Sequence, residues 1–178
     1  MKSSEKGFTL IELLISITII AAASAAAGAA IFQIVRNTER NADQMTAVRQ
    51  VENAGYWIST DAQMAASANT TADLVSPNFI FMEWTTWNGT TGDPVSYSAR
   101  YFFENLTNGT GTLKRSYLST DGANQTTLIA QYIYYDPGDV ANTSNNSYQG
   151  SMLTVKLTAL VGQAMESKEY KIMGRPNY

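Results

Sequence analysis

From Phe8 to Val35 runs an apolar stretch of about 28 residues in which Glu12 is the only charged side chain. A helix of that length rises about 40 Å, enough to cross the hydrocarbon of a bilayer with some tilt. A carboxylate placed in such a span costs about 2.5–3.5 kcal/mol, so its presence argues for a purpose beyond anchoring. The run is twice as long as the apolar region of a secretory signal peptide. Small-residue sites within Ala21-Ala22-Ala23-Ser24-Ala25-Ala26-Ala27 leave signal-peptide cleavage as a rival reading, against which Glu12 speaks. Lys2 and Lys6 before the run favour a cytoplasmic N-terminus, although Arg36 and Arg40 beyond it soften the contrast.

The residues around Glu12 carry more. Lys6-Gly7-Phe8-Thr9-Leu10-Ile11-Glu12-Leu13-Leu14 resembles the N-terminal signature of type IV pilins and pseudopilins, in which a short basic leader ends in Gly and is followed by Phe-Thr-Leu-Ile-Glu and an apolar helix. The resemblance covers about the first 35 residues. It implies a leader over 1–7, diluted in basic character by Glu5, cleavage between Gly7 and Phe8 by a prepilin peptidase, and N-methylation of the Phe8 amine. It also implies that Glu12 is the assembly residue. In a membrane the new Phe8 ammonium and the Glu12 carboxylate are each costly alone, and docking one subunit's amine on its neighbour's carboxylate neutralises both in one register.

The apolar span has two halves. Leu10 to Ile20 is rich in Leu and Ile, whereas Ala21 to Ala30 is nearly all Ala with Ser24 and Gly28. Small side chains let helices approach closely in lipid. No proline occurs between Phe8 and Ser76, so the helix is expected to run unbroken to about Ala66, with Gly28 its one weak point. Past Val35 the pattern turns amphipathic. Met45, Val48, Val51, Gly55, Ile58, Ala62 and Ala65 form the expected buried stripe, and Arg40, Asp43, Arg49, Glu52 and Asp61 the polar interruptions, read as a solvated face.

From Ser67 the chain shifts to Asn, Thr, Ser and Gly around β-rich runs. Strands are expected at Phe79–Trp84, Val95–Glu104, Thr112–Leu118, Thr127–Tyr135, Met152–Val161 and Met165–Met173, with turns at Asn108-Gly109-Thr110-Gly111 and Leu160-Val161-Gly162-Gln163. Asp136 to Gly150 reads as the longest loop. With no crossover helix available, the sheet should be antiparallel. The fold expected is therefore α+β, a long N-terminal helix packed on a C-terminal antiparallel sheet, as in pilins. The parts are a leader at 1–7, a transmembrane and assembly helix at 8–35, its amphipathic continuation at 36–66, and a β-rich head at 67–178. The Arg49, Glu52 and Trp57-to-Asp61 region and the closing Arg175-Pro176-Asn177 loosely resemble J-type pseudopilins.

Composition removes several function classes. The chain has no His and no Cys. It therefore lacks the usual general base, the common soft-metal ligands and any disulfide, in contrast to many type IVa pilins. Net charge is −3 with no basic block past the leader, so direct nucleic-acid binding is not indicated. No nucleotide loop or cofactor site is recognisable, and the chain reads as a non-enzyme without cofactor or metal.

Weaker candidates remain. Seven sequons, at Asn69, Asn88, Asn105, Asn108, Asn124, Asn142 and Asn145, offer glycosylation on an exported face, a weak signal because an Asn- and Thr-rich chain produces many sequons by chance. Asp136 and Asp139 match no EF-hand spacing and read as an acidic turn rather than a calcium site or a hydrolase pair. Trp84, Trp87, Tyr132, Tyr134 and Tyr135 make an aromatic group for a sugar or partner, half of it directed to the core by strand alternation.

The expected function is a membrane-anchored minor pilin or pseudopilin of a type IV pilus-like or type II secretion-like filament. Its implied partners are other pilin-like subunits, the prepilin peptidase, a membrane assembly platform and the bilayer. It would start as a single-pass inner-membrane protein and end in a surface or periplasmic filament. The competing class is an exported binding module for carbohydrate or protein, anchored by the same helix and never assembled.

Overall fold

The computed structural model describes residues 8–71 and 76–174. The leader and the closing Arg175-Pro176-Asn177 lie outside these residues. The chain divides into two compact units, with the boundary between Ala42 and Asp43.

A single helix, α1, runs uninterrupted over Leu10–Met64. In the first unit, every residue from Phe8 to Ala42 is exposed, including Leu10, Ile11, Ile17, Ile20, Phe32 and Ile34. This helix is long and apolar enough to span a membrane. Three of its hydroxyls are satisfied within the helix. Ser16 Oγ donates to the Glu12 carbonyl, Thr18 Oγ1 to that of Ile15, and Thr38 Oγ1 to that of Ile34. Such internal bonding is what a helix surrounded by hydrocarbon requires.

The second unit contains the rest of α1 and eight strands: β1 (Ser67–Asn69), β2 (Asn78–Trp87), β3 (Pro94–Thr107), β4 (Thr110–Ser119), β5 (Asn124–Tyr134), β6 (Asn145–Gln149), β7 (Met152–Val161) and β8 (Ala164–Met173). All pairings are antiparallel, in the order β1-β2-β3-β4-β5-β7-β6, with β8 on the other edge of β7. The sheet curls around the helix. Asn146 of β6 reaches the start of β2, donating from Nδ2 to the Phe79 carbonyl and accepting the Thr71 amide on Oδ1. The six strands expected from sequence are all present, with ends that differ by at most three residues; the fourth starts earlier, at Asn124, and stops one residue short of the expected Tyr135.

Two hairpins turn where glycine permits. Asn108 and Gly109 have φ of 51° and 76°, the two left-handed residues of a tight turn between β3 and β4. Gly162, at φ 57°, turns β7 into β8, and a Cβ there would strike the Asp43 carboxylate.

The expected loop at Asp136–Gly150 is a correction, because its last third is β6. A segment of Asn, Ser and Gln carries no strand pattern of its own, and it becomes a strand by pairing with the exposed half of one edge of β7, residues Met152 to Lys156. The remaining Asp136–Ser144 stretch is tied down: the Asp136 amide donates to Thr143 Oγ1, and Asp139 accepts the Asn142 amide.

The core lies between α1 and the concave face of the sheet. Ala47, Val51, Ala54, Ile58, Ala62 and Ala65 from the helix side meet Ile80, Met82, Tyr101, Phe103, Leu113, Ile133 and Leu157. The stripe differs from expectation at its beginning, where Ala47 is buried while Met45 is 57% exposed. Where helix and sheet approach closely, a small residue fits and a large one does not. Gly55 serves the same end, since the Tyr170 ring of β8 occupies the space a side chain would take and donates its hydroxyl to the Val51 carbonyl. Gly55→Ala should therefore destabilise the second unit by about 1–3 kcal/mol, read as a lower denaturation midpoint by near-ultraviolet circular dichroism.

Candidate functional site

The first turn of α1 is a closed set of hydrogen bonds. Thr9 Oγ1 accepts the Glu12 amide at 3.3 Å, while Glu12 Oε2 accepts the Thr9 amide at 2.9 Å and the Thr9 hydroxyl at 2.7 Å. This is a reciprocal capping box, with Thr9 as N-cap and Glu12 as the third helical residue. It satisfies two amides that a helix start leaves unpaired and sets a negative charge against the positive end of the helix dipole. The carboxylate thus has a local partner within its own chain. Sequence reasoning missed this role, although Thr-x-x-Glu ahead of an apolar run is its signal. Of the other expected residues, Phe8 precedes the helix and is 80% exposed, and Gly7 lies outside the described residues.

A second charged group was misread. Asp61 is not on a solvated face but 1% exposed within the head. Arg115 of β4 grips it with two bonds, Nε to Oδ2 at 2.6 Å and Nη2 to Oδ1 at 2.8 Å, and the Tyr101 hydroxyl of β3 donates to Oδ2 at 2.6 Å. The guanidinium lies 4.6 Å from the Tyr117 ring centre and 5.3 Å from that of Trp57. Tyr101 and Arg115 are directly paired across β3 and β4, so the sheet register brings both to the helix. Burial, then the adjacent Asp61 charge and hydrogen bond, push the Tyr101 hydroxyl well above its ordinary value. Burial alone would lower Arg115, but its bonds to Asp61 and that group's charge outweigh the loss and raise it. The cluster is a fastener between helix and sheet.

Other candidates resolve into structural roles. Asp136 Oδ1 accepts the Gly138 amide, and Asp139 accepts the amide and side chain of Asn142 and the hydroxyl of Tyr134. Both carboxylates hold the turn they belong to, and among the described residues no group of three metal-ligating side chains occurs. Trp84 is buried and stacked on Tyr97 at 5.9 Å, and Tyr135 is stacked on Phe103 at 4.4 Å. Trp87 and Tyr132 are the members of the aromatic group left exposed, at 73% and 45%.

Comparison with known proteins adds one result. Residues 2–28 match the family model of the prokaryotic N-terminal methylation motif, the signature of type IV pilins and pseudopilins. The proteins that carry this motif are structural rather than enzymatic. No curated protein and no solved structure matches the chain. Residues 2–28 thus carry the N-terminal signature of type IV pilins and pseudopilins, on an apolar helix suited to membrane anchoring that is followed by an antiparallel head.

Removing one member of the buried cluster strands the other. Asp61→Ala should cost about 3–5 kcal/mol of head stability, and the Asp61→Ala/Arg115→Ala pair should cost less than the sum of the two single changes, measured in a double-mutant cycle. Alkaline pH tests Tyr101. In the unfolded chain a tyrosine loses its proton near pH 10, while the folded hydroxyl holds it. Above that pH the folded state binds more protons than the unfolded one. Stability should be full below pH 10 and fall beyond it, by up to about 1.4 kcal/mol per pH unit, with a shallower fall in Tyr101→Phe, in thermal melts between neutral and strongly alkaline pH.

Proposed function

We propose that this chain is a filament subunit, a minor pilin or pseudopilin that waits in the membrane and is drawn into a helical assembly through α1. The observation that carries this reading is a methylation motif sitting directly on an exposed apolar helix with one carboxylate, Glu12, in its first turn.

The physical steps follow from charge and desolvation. A peptidase cut between Gly7 and Phe8 would create an ammonium one residue before Thr9, and methylation would keep its charge. Before assembly, the capping box lowers the cost of keeping Glu12 near hydrocarbon, because Oε2 is already hydrogen-bonded. On assembly, the neighbour's Phe8 ammonium offers a full opposite charge in place of neutral dipoles. Charged pairs are favoured over neutral hydrogen bonds, most of all away from water. The pairing also fixes register, since a shifted neighbour leaves two charges unmatched. The Ala-rich stretch from Ala21 to Ala30 allows the close helix contact such packing needs.

Two measurements test the proposal. Intact-mass analysis of the mature protein should show a chain starting at Phe8 with one added methyl group; a chain starting at Met1 would support an anchored, unassembled binding module instead. Glu12→Ala should insert into membranes normally yet cross-link to sibling subunits at about a tenth of the wild-type level or less, equivalent to about 1.4 kcal/mol of lost pairing. Glu12→Gln should keep much of the cap and still assemble poorly. Normal incorporation of both variants would refute the role of the charge.

A further inference from the structure

The head carries a feature separate from the N-terminal motif and the Asp61 cluster. Strand β4 is flanked by a bulge on each side at the same level. On one side Glu104 pairs with Thr112 and Thr107 with Thr110, so Asn105 and Leu106 together face Gly111. On the other side Gly111 pairs with Ile133 and Leu113 with Ala130, so Gln131 and Tyr132 together face Thr112. Each bulge contains a non-glycine residue in the left-handed region, Asn105 at φ 55° and Tyr132 at φ 59°. Elsewhere among the described residues such positions are taken by Asn108 of the β3–β4 turn and by glycine, at Gly92, Gly109, Gly122, Gly150 and Gly162. A tyrosine there is strained and a glycine would be free of strain, so Tyr132 is held in a costly conformation. Bulges re-aim side chains, and strain of this kind collects where a protein binds something.

The two bulges border an open groove of about 340 Å³, a size usual for small-ligand sites, lined by Asn105, Thr107, Thr110, Gly111, Thr112, Gln131 and Tyr132. Gly111 has no room for a side chain, since a Cβ would sit 2.9 Å from the Glu104 carbonyl oxygen and 3.0 Å from the Leu106 side chain, so β4 can pack between the two bulges only with glycine there. No Asp, Glu, Lys or Arg is among the lining residues. What remains is amide and hydroxyl groups beside one exposed aromatic residue; these both donate and accept, except that the Thr112 hydroxyl already donates to the Glu104 carbonyl and is left as an acceptor. That combination matches a neutral sugar, whose hydroxyls need two-way hydrogen-bonding partners and whose apolar ring face stacks on an aromatic ring. A charged ligand would find no counter-charge among the lining residues, and the Lys114–Glu104 pair beside Thr112 is already neutralised within itself.

We infer that this groove is a binding site for a neutral oligosaccharide, with Tyr132 as the stacking platform and the Thr, Asn and Gln side chains as hydroxyl readers. The inference concerns the head alone and does not depend on how the subunit is assembled.

The test uses the full chain in lipid nanodiscs and saturation-transfer NMR with maltohexaose, cellohexaose and chitohexaose, with a heparin oligosaccharide as anionic comparator. At least one neutral sugar should receive saturation and the heparin fragment none. Tyr132→Ala should weaken that binding about tenfold, the loss of one stacked ring. Tyr132→Gly guards against misfolding, because it relieves the strained backbone. It should lose binding equally while its melting temperature stays level or rises. Trp87→Ala, which removes the other exposed aromatic, should bind as the wild type does. Absence of transfer to all three neutral sugars would overturn the inference. So would full binding by Tyr132→Gly, loss of binding in Trp87→Ala, or binding confined to the heparin fragment.

Discussion

A carboxylate that must sit close to hydrocarbon constrains everything at the N-terminal end of this chain. Glu12 stands in an apolar helix that no other part of its own unit covers. Desolvating it alone is costly, and the chain answers first with a local device, the reciprocal cap made with Thr9. Hydrogen bonds from an amide and a hydroxyl compensate only part of what water supplies. The carboxylate is therefore tolerable in a lone subunit and better satisfied by a cation. A device that is adequate alone and improved by a cation is what the proposed filament subunit would need before assembly.

The head applies the same physics with the opposite solution. Asp61 is taken wholly out of water, and its satisfaction is complete inside one chain: a bidentate arginine, a tyrosine hydroxyl, and aromatic rings around the guanidinium. The helix carries the acid and the sheet carries the base, so neither is satisfied unless the two are docked. Such a cluster adds specificity to an otherwise forgiving interface of alanines and aliphatic side chains, where several rotations of the helix would bury similar area. Together with the Tyr170 ring seated on Gly55, it ties the lower half of α1 to β3, β4 and β8.

Legibility from sequence followed the range of the cause. The helix, the six longer strands, their antiparallel sense and the Asn108-Gly109 turn all depend on neighbours within a few residues, through periodicity, β-branched runs and glycine. The N-terminal motif is local as well, and the cap at Thr9 could have been read from Thr-x-x-Glu. Asp61 could not. Its neighbours at helical spacing mark it as a polar break in an apolar stripe, and only β4, more than fifty residues away, supplies the arginine. Strand β6 failed for the same reason, because its polar residues become a strand through the open edge of β7.

By itself the sequence determined a spanning apolar helix with one acid near its start, a processing motif, and an antiparallel head, because hydrophobic pattern and turn chemistry act at short range. The tertiary structure alone decided which polar groups are paired in the dark, which small residues mark the closest approach of helix to sheet, and where two bulges meet across β4 to open a groove. Those outcomes depend on register between distant strands. A shift of a single residue would turn each side chain to the opposite face.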